Sequence, residues 1–182
     1  MRKILLLVVM LSMVSAVAHA DLKFRAQGSP AFSILTKYTE VPGVNVRDFN
    51  VGANFEASVE FWKGIGFGMD FLYMPGSFSI AGFPDGDLNM YGLTFGPRYY
   101  LPIAQNFEAY ALANFGWYRS NGSLLGVSMQ KDDWGMNFGV GLNYIYKNMT
   151  VGVKFAANYL ANIGGGDDAM IYSLGPTIGV RF

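Results

Sequence analysis

Nine charged side chains, Lys23, Arg25, Glu56, Glu60, Asp70, Arg98, Glu108, Lys154 and Arg181, fall in phase on extended, apolar-rich segments. An even spacing puts Lys23 with Arg25, and Glu56 with Glu60, on one face of a strand. Paired carboxylates can divide acid and base roles between them. Glu56, Glu60 and Asp70 facing Lys23 or Lys154 could therefore form a paired-carboxylate or Ser–Lys site. The competing reading is mutual neutralisation. Five basic and four acidic groups nearly cancel, and charges withdrawn from water need partners. Serine becomes a nucleophile only beside a base. The chain has no cysteine, and its single histidine, His19, lies in a segment expected to be removed. The residue types thus favour a paired charge network over catalysis, and they call for no cofactor and no catalytic residue.

Acidic pairs occur at Asp85/Asp87, Asp132/Asp133 and Asp167/Asp168. Oxygen ligands of this kind suit a divalent cation, which could bridge to lipopolysaccharide phosphates. The spacing matches no closed calcium loop, and aspartate is favoured in turns for local reasons, so no metal site is assigned. Ile163 to Asp168 is glycine-rich but lacks the lysine and hydroxyl residue of a phosphate-binding loop.

The N-terminus indicates a compartment. Arg2 and Lys3 precede an apolar run from Ile4 to Val17, and Ala18-His19-Ala20 supplies a small-x-small cleavage pattern. Residues 1–20 read as a signal peptide exported through the Sec pathway, and 21–182 as one domain. With the signal gone, 11 basic residues face 13 acidic ones, a balance that gives no support to nucleic-acid binding. No later stretch is long and apolar enough for a transmembrane helix. Yet the chain carries 15 Phe, 11 Tyr and 3 Trp, a surface that a soluble domain of this size would have to hide.

The elements that position the charges are strands. Period-two alternation recurs almost unbroken and predicts eight strands at about 22–37, 48–62, 64–75, 88–101, 106–119, 133–147, 149–160 and 169–182. Tight turns at Lys63-Gly64, Pro102–Gln105 and Lys147-Asn148 alternate with longer connections at 38–47, 76–87, 120–132 and 161–168. One face carries uncharged rows such as Phe49 to Phe61 and Trp134 to Tyr146, long enough to cross a hydrocarbon layer. The other carries glycines and the nine charges. A soluble barrel would invert this arrangement. Apolar outside and polar inside is the transmembrane β-barrel pattern, with the short turns facing the periplasm.

Aromatics gather at the row ends. Tyr73, Tyr91, Trp117, Trp134, Tyr159 and Tyr172 lie toward the long connections; Phe61, Tyr99, Phe107, Tyr144, Tyr146 and Phe182 lie toward the tight turns. Two girdles at the membrane interfaces are the expectation. Inward glycines at positions such as Gly66, Gly96 and Gly139 would make room in a narrow interior. Pro97 and Pro176 cannot donate to a strand ladder, so each should mark a bulge or a missing bond, and Gly28 and Pro30 should weaken the first strand.

With these residues in view, the closing strand YSLGPTIGVRF and the segment TFGPRYYLP carry a likeness. The chain resembles the small eight-stranded outer-membrane barrels of the OmpX and OmpA N-terminal type over about 22–182. The resemblance implies an all-β, antiparallel up-and-down barrel, monomeric, in a Gram-negative outer membrane among phospholipid and lipopolysaccharide. It also implies that Ser173, Gly175, Ile178, Val180 and Phe182 form a signal read by the barrel-assembly machinery, with periplasmic chaperones acting beforehand. Barrels similar to these that modify lipids rely on a histidine base, which the mature chain lacks. The expected role is structural, or a surface contact through the long connections. A narrow channel or lateral path for small or apolar solutes is the alternative, and a lipid-modifying enzyme a more distant one.

Overall fold

The computed structural model describes residues 22–37, 44–47, 51–80, 86–125, 127–161 and 169–182. The strands are β1 (Lys23–Lys37), β2 (Val44–Arg47), β3 (Val51–Trp62), β4 (Ile65–Ile80), β5 (Gly86–Ala104), β6 (Phe107–Leu124), β7 (Val127–Tyr146), β8 (Met149–Leu160) and β9 (Ala169–Arg181). Among the described residues there is no helix. Eight strands close into an antiparallel ring, β1-β3-β4-β5-β6-β7-β8-β9 and back to β1, while β2 adds to the outer end of β4. Closure gives each of the eight ring strands two neighbours, so no sheet edge crosses the hydrocarbon.

Alternation dictates what each face does. In β5, Leu93, Phe95, Pro97 and Tyr99 are exposed while Gly92, Thr94, Gly96 and Arg98 are buried. Phe55, Phe67, Phe71, Phe115, Phe138, Val140 and Phe155 lie exposed on the outer wall. Such a surface would be untenable in water and is at home in lipid. The inner face is crowded: a Cβ added at Gly96 would sit 2.2 Å from the Ala113 carbonyl oxygen, so the strand wall itself leaves no room for a larger residue.

Several expectations need correcting. The connections at 76–87 and 120–132 are largely strand. β4 runs on to Ile80, β5 starts at Gly86, and β6 pairs with β7 up to Leu124↔Val127. Residues 44–47, read as loop, form β2, whose pairing with β4 is offset by two residues from that of β3. Turn-forming residues such as Gly122 misled the reading, because a strand above the membrane no longer needs an apolar outer face. Phe49 and residues 38–43, 81–85 and 162–168 lie outside the described residues, as do residues 1–21.

The prolines interrupt the ladder without moving it. Between Phe95↔Phe115 and Arg98↔Leu112 the β5–β6 pairing lapses at Pro97, and the register is unchanged across the gap. Likewise β1 and β9 are unpaired between Gly28↔Ile178 and Phe32↔Leu174, the stretch that holds Pro30 and Pro176. Bulges occur elsewhere, at Ser33/Leu35, Glu60/Trp62 and Pro102/Ala104.

Candidate functional site: a filled lumen beneath a raised sheet

The charged residues meet inside the ring in two clusters. Nearer the tight turns, Arg25 donates to Glu60 Oε2 at 2.5 Å and grips both oxygens of Glu108, with Oε2 at 2.9 Å. Lys23 donates to Glu60 Oε1 at 2.9 Å, and Arg181 lies 3.9 Å from Glu108. The Arg25 guanidinium also stacks on Tyr100, 3.7 Å from the ring centroid, and Tyr100 shares a 2.6 Å hydrogen bond with Ser58. Lys23 is 45% exposed at the mouth. This cluster has one cation in excess, and solvent reaches it there.

Deeper in, Glu56 is the hub. Arg98 donates to it at 2.5 Å and Lys154 bonds its other oxygen. Arg98 also bonds Asp70, whose second oxygen accepts from Asn114 at 2.9 Å and lies 3.5 Å from Lys154. Lys154 reaches Asn54 Oδ1 at 3.2 Å. Gln27 ties this cluster to the tyrosines, donating to Glu56 and to the Tyr110 hydroxyl at 3.0 Å each. The two cations and two carboxylates are almost wholly enclosed. An arrangement like this neutralises charge; it offers a substrate no free acid, base or nucleophile.

Above the charges lies a polar belt of Asn54, Thr94, Asn114, Asn137 and Asn158, all buried. Asn137 donates to Asn158 Oδ1 at 2.6 Å, as does the Tyr118 hydroxyl at 3.1 Å. A void of about 10 Å³ lies beside this belt, lined among others by Pro30, Asn54, Asn137, Lys154, Asn158 and Gly175. That is room for about one water.

The outer end of the lumen is apolar, contrary to the small, polar inner face expected. Ala31, Leu72, Met74, Met90, Tyr118, Leu160 and Ile171 pack into one buried cluster. The signal was present in the phase, since Leu72 and Met74 share the parity of Asp70, but apolar residues give no hint of which side they face. Tyr100, Tyr110 and Leu112 form a smaller cluster lower down. Gln27 and the asparagines share the parity of the inward charges and glycines, and were missed because they carry no charge. The inward tyrosines were missed because an aromatic ring suits either face.

The aromatic residues expected at the row ends pair across neighbouring strands. Tyr73 and Tyr91 pair across β4 and β5 with centroids 5.1 Å apart, Phe107 and Tyr144 at 5.2 Å, and Phe155 and Tyr172 at 6.1 Å. Trp134 stacks on Phe115 and lies opposite Trp117. Tyr99 and Tyr146 are exposed; Tyr159 is half-buried. Trp62, absent from the expected girdle, is turned outward by the bulge beside Glu60. In the closing strand, Ser173 and Gly175 face the lumen and Ile178 and Val180 face out. Phe182 exchanges backbone hydrogen bonds with Phe24 at 2.8 and 3.0 Å.

Beyond the outer girdle, β4, β5, β6 and β7 continue as a raised sheet with β2 on its flank, while β8 ends at Leu160 opposite Gly135. The acidic pair Asp132/Asp133, to which no metal is assigned, is engaged by basic side chains of its own hairpin. Asp132 lies in β7 and accepts two hydrogen bonds from Arg119, at 2.7 and 3.0 Å, and Asp133 pairs with Lys131 at 3.2 Å. Hydrogen bonding to Arg119 holds the Asp132 carboxyl below its ordinary range. Asp85, Asp167 and Asp168 lie outside the described residues, and no metal-binding group occurs among the described ones.

A closed antiparallel ring with an apolar, aromatic-rich outer wall and a charge-filled interior defines a small outer-membrane β-barrel protein. The chain belongs to the outer membrane protein beta-barrel domain family, whose model matches residues 4–182. Its fold is similar to that of the Neisserial surface protein A, at 14% identity and TM-score 0.66 over 88% of this chain and 97% of that one. It is also similar to a major outer membrane protein from Thermus thermophilus, at 10% identity and TM-score 0.61 over 88% and 99%. The attachment invasion locus protein Ail of Yersinia pestis aligns at 21% identity and TM-score 0.53 over 88% and 96%. No curated protein matches by sequence. The chain is thus a bacterial outer-membrane protein.

Proposed function

We propose that this barrel is a non-catalytic surface-contact protein: a membrane-anchored post that presents its raised sheet outside the cell. The observation that carries the reading is the contrast between the two halves of the molecule. The lumen is occupied by paired charges, a polar belt and an apolar cluster. The outer sheet extends well past the girdle, from Tyr91↔Arg119 to Leu124↔Val127. A fold that fills its interior and builds upward spends its sequence on the exterior. The neighbour described as an attachment invasion locus protein supports the same direction. Among the described residues Ser58 bonds Tyr100 and the lumen carboxylates are held by cations, which supports a non-catalytic role.

The test compares cells displaying the wild-type chain with cells in which residues 120–131 are replaced by a two-residue Asn-Gly turn. Retention on host-cell or matrix-coated surfaces should fall with the shortened hairpin while the folded barrel remains. Equal retention would remove the sheet from the account. The channel alternative draws on the charged lower lumen, and planar-bilayer recording separates the two, because reproducible openings by the refolded wild type would favour passage.

A further inference from the structure

The tight-turn rim carries a repeated device that neither the lumen nor the raised sheet uses. The β3–β4 hairpin turns through Trp62-Lys63-Gly64-Ile65, and the β7–β8 hairpin through Tyr146-Lys147-Asn148-Met149. Both place an aromatic residue at the last strand position and lysine at the first position of a two-residue loop. Both lysines adopt positive φ, 41° at Lys63 and 53° at Lys147, a conformation in which glycine or asparagine would be less strained. The Nζ of Lys63 lies 5.6 Å from the Trp62 ring centroid, and that of Lys147 lies 5.5 Å from Tyr146. The two rings are 60% and 59% exposed. No carboxylate forms an ion pair with either lysine among the described residues. In the closed ring order the two hairpins are four strands apart in both directions, hence on opposite sides of the barrel.

Charge is distributed unevenly between the rims. The three tight turns carry two lysines and no acid, while the segments 38–50, 81–87, 119–133 and 161–168 carry eight acidic and three basic residues. Short turns face the periplasm, so the unpaired cations meet the inner leaflet, which is phospholipid.

We infer that Trp62-Lys63 and Tyr146-Lys147 are paired binding sites for the phosphate of anionic phospholipids in the periplasmic leaflet. Each ring lies at the lower edge of the lipid-facing wall, where an amphipathic aromatic is most stable. There it holds the ammonium at headgroup depth through a cation–π contact. A zwitterionic lipid brings its own ammonium and gains little, whereas an anionic headgroup meets a cation that no carboxylate among the described residues engages. A soluble phosphate has no apolar part to use the adjoining wall, so the occupant is the lipid.

The test places the folded protein in phosphatidylcholine bilayers containing spin-labelled phosphatidylglycerol or spin-labelled phosphatidylcholine, and measures the motionally restricted lipid at the barrel surface. Phosphatidylglycerol should be enriched by roughly threefold to fivefold over phosphatidylcholine, and less so as salt rises. The double variant Lys63→Gln/Lys147→Gln should abolish the preference, Lys63→Arg/Lys147→Arg should keep it, and Lys131→Gln at the opposite rim should leave it unchanged. Unheated and boiled gel mobility verifies that each variant is folded. Equal restriction of the two lipids by the wild type, or a preference that survives the double Gln variant, would overturn the proposal. Displacement of the preference by glycerophosphate at constant ionic strength would overturn the lipid assignment.

Discussion

At the scale of single residues, Glu56 holds the interior together. Removing its carboxylate leaves two buried cations, Arg98 and Lys154, sharing the single carboxylate of Asp70. Truncating one member of a buried ion pair typically costs about 3–5 kcal/mol, while replacing both members with apolar groups costs far less. Glu56→Ala should therefore lower reversible folding stability in lipid vesicles by about that amount in urea titration, and Glu56→Leu/Lys154→Met should recover most of it. A joint variant as unstable as the single one would mean the pair matters for more than neutralisation. Glycine gives a second residue-scale contrast. A Cβ at Gly116 would lie 2.1 Å from the Leu93 carbonyl oxygen, but the atoms nearest one at Gly139 belong to the Leu112 side chain, at 3.1 Å. Backbone cannot give way as a leucine can, so Gly116→Ala should be the more damaging by about 1–3 kcal/mol in the same titration. Charges were legible because few tolerate lipid, and glycines because a narrow lumen needs small residues. The inward Leu72, Met74 and Met90 were not, since an apolar side chain suits both faces and only phase distinguishes them.

At the scale of elements, the strands differ in how well they are joined. β6 and β7 pair without a break from Phe107↔Tyr144 to Leu124↔Val127. The β1–β9 seam, which closes the ring, lapses between Gly28↔Ile178 and Phe32↔Leu174, and the small void borders the same stretch. Local opening is governed by such missing contacts. Pro30 and Pro176 have no N–H to exchange. In a detergent or nanodisc sample, amide exchange should therefore be faster at the seam-facing amides that border the gap, Gly28, Phe32, Leu174 and Ile178, than along β6 and β7. Uniform protection would contradict the gap. Period-two patterning made these strands readable wherever one side faced lipid. It failed above the girdle, where Arg119 pairs with Asp132 and both faces are wet. It failed also at Trp62, because a bulge reverses the parity and leaves no mark in composition.

At the scale of the whole molecule, the last residue tests whether assembly and stability are separate properties. Phe182 is in register, its N–H and C=O both bonded to Phe24, and its ring is 71% exposed on the outer wall. Serine at this position keeps both backbone bonds and opens no cavity, since the ring packs against lipid instead of a protein core. The finished barrel should lose only part of what a fully buried Phe contributes, about 1 kcal/mol. If the closing strand is also the segment that the assembly machinery recognises, the same change removes its terminal apolar anchor before any barrel exists. Phe182→Ser should thus slow insertion several-fold, followed as the unheated gel-shifted fraction over time in membranes containing the machinery, with a urea midpoint close to wild type. Folding into bare lipid vesicles, where nothing reads a signal, should proceed at nearly the normal rate. Equal insertion by mutant and wild type in the presence of the machinery would count against a recognition role, and a large drop in the urea midpoint would make Phe182 a stability residue instead.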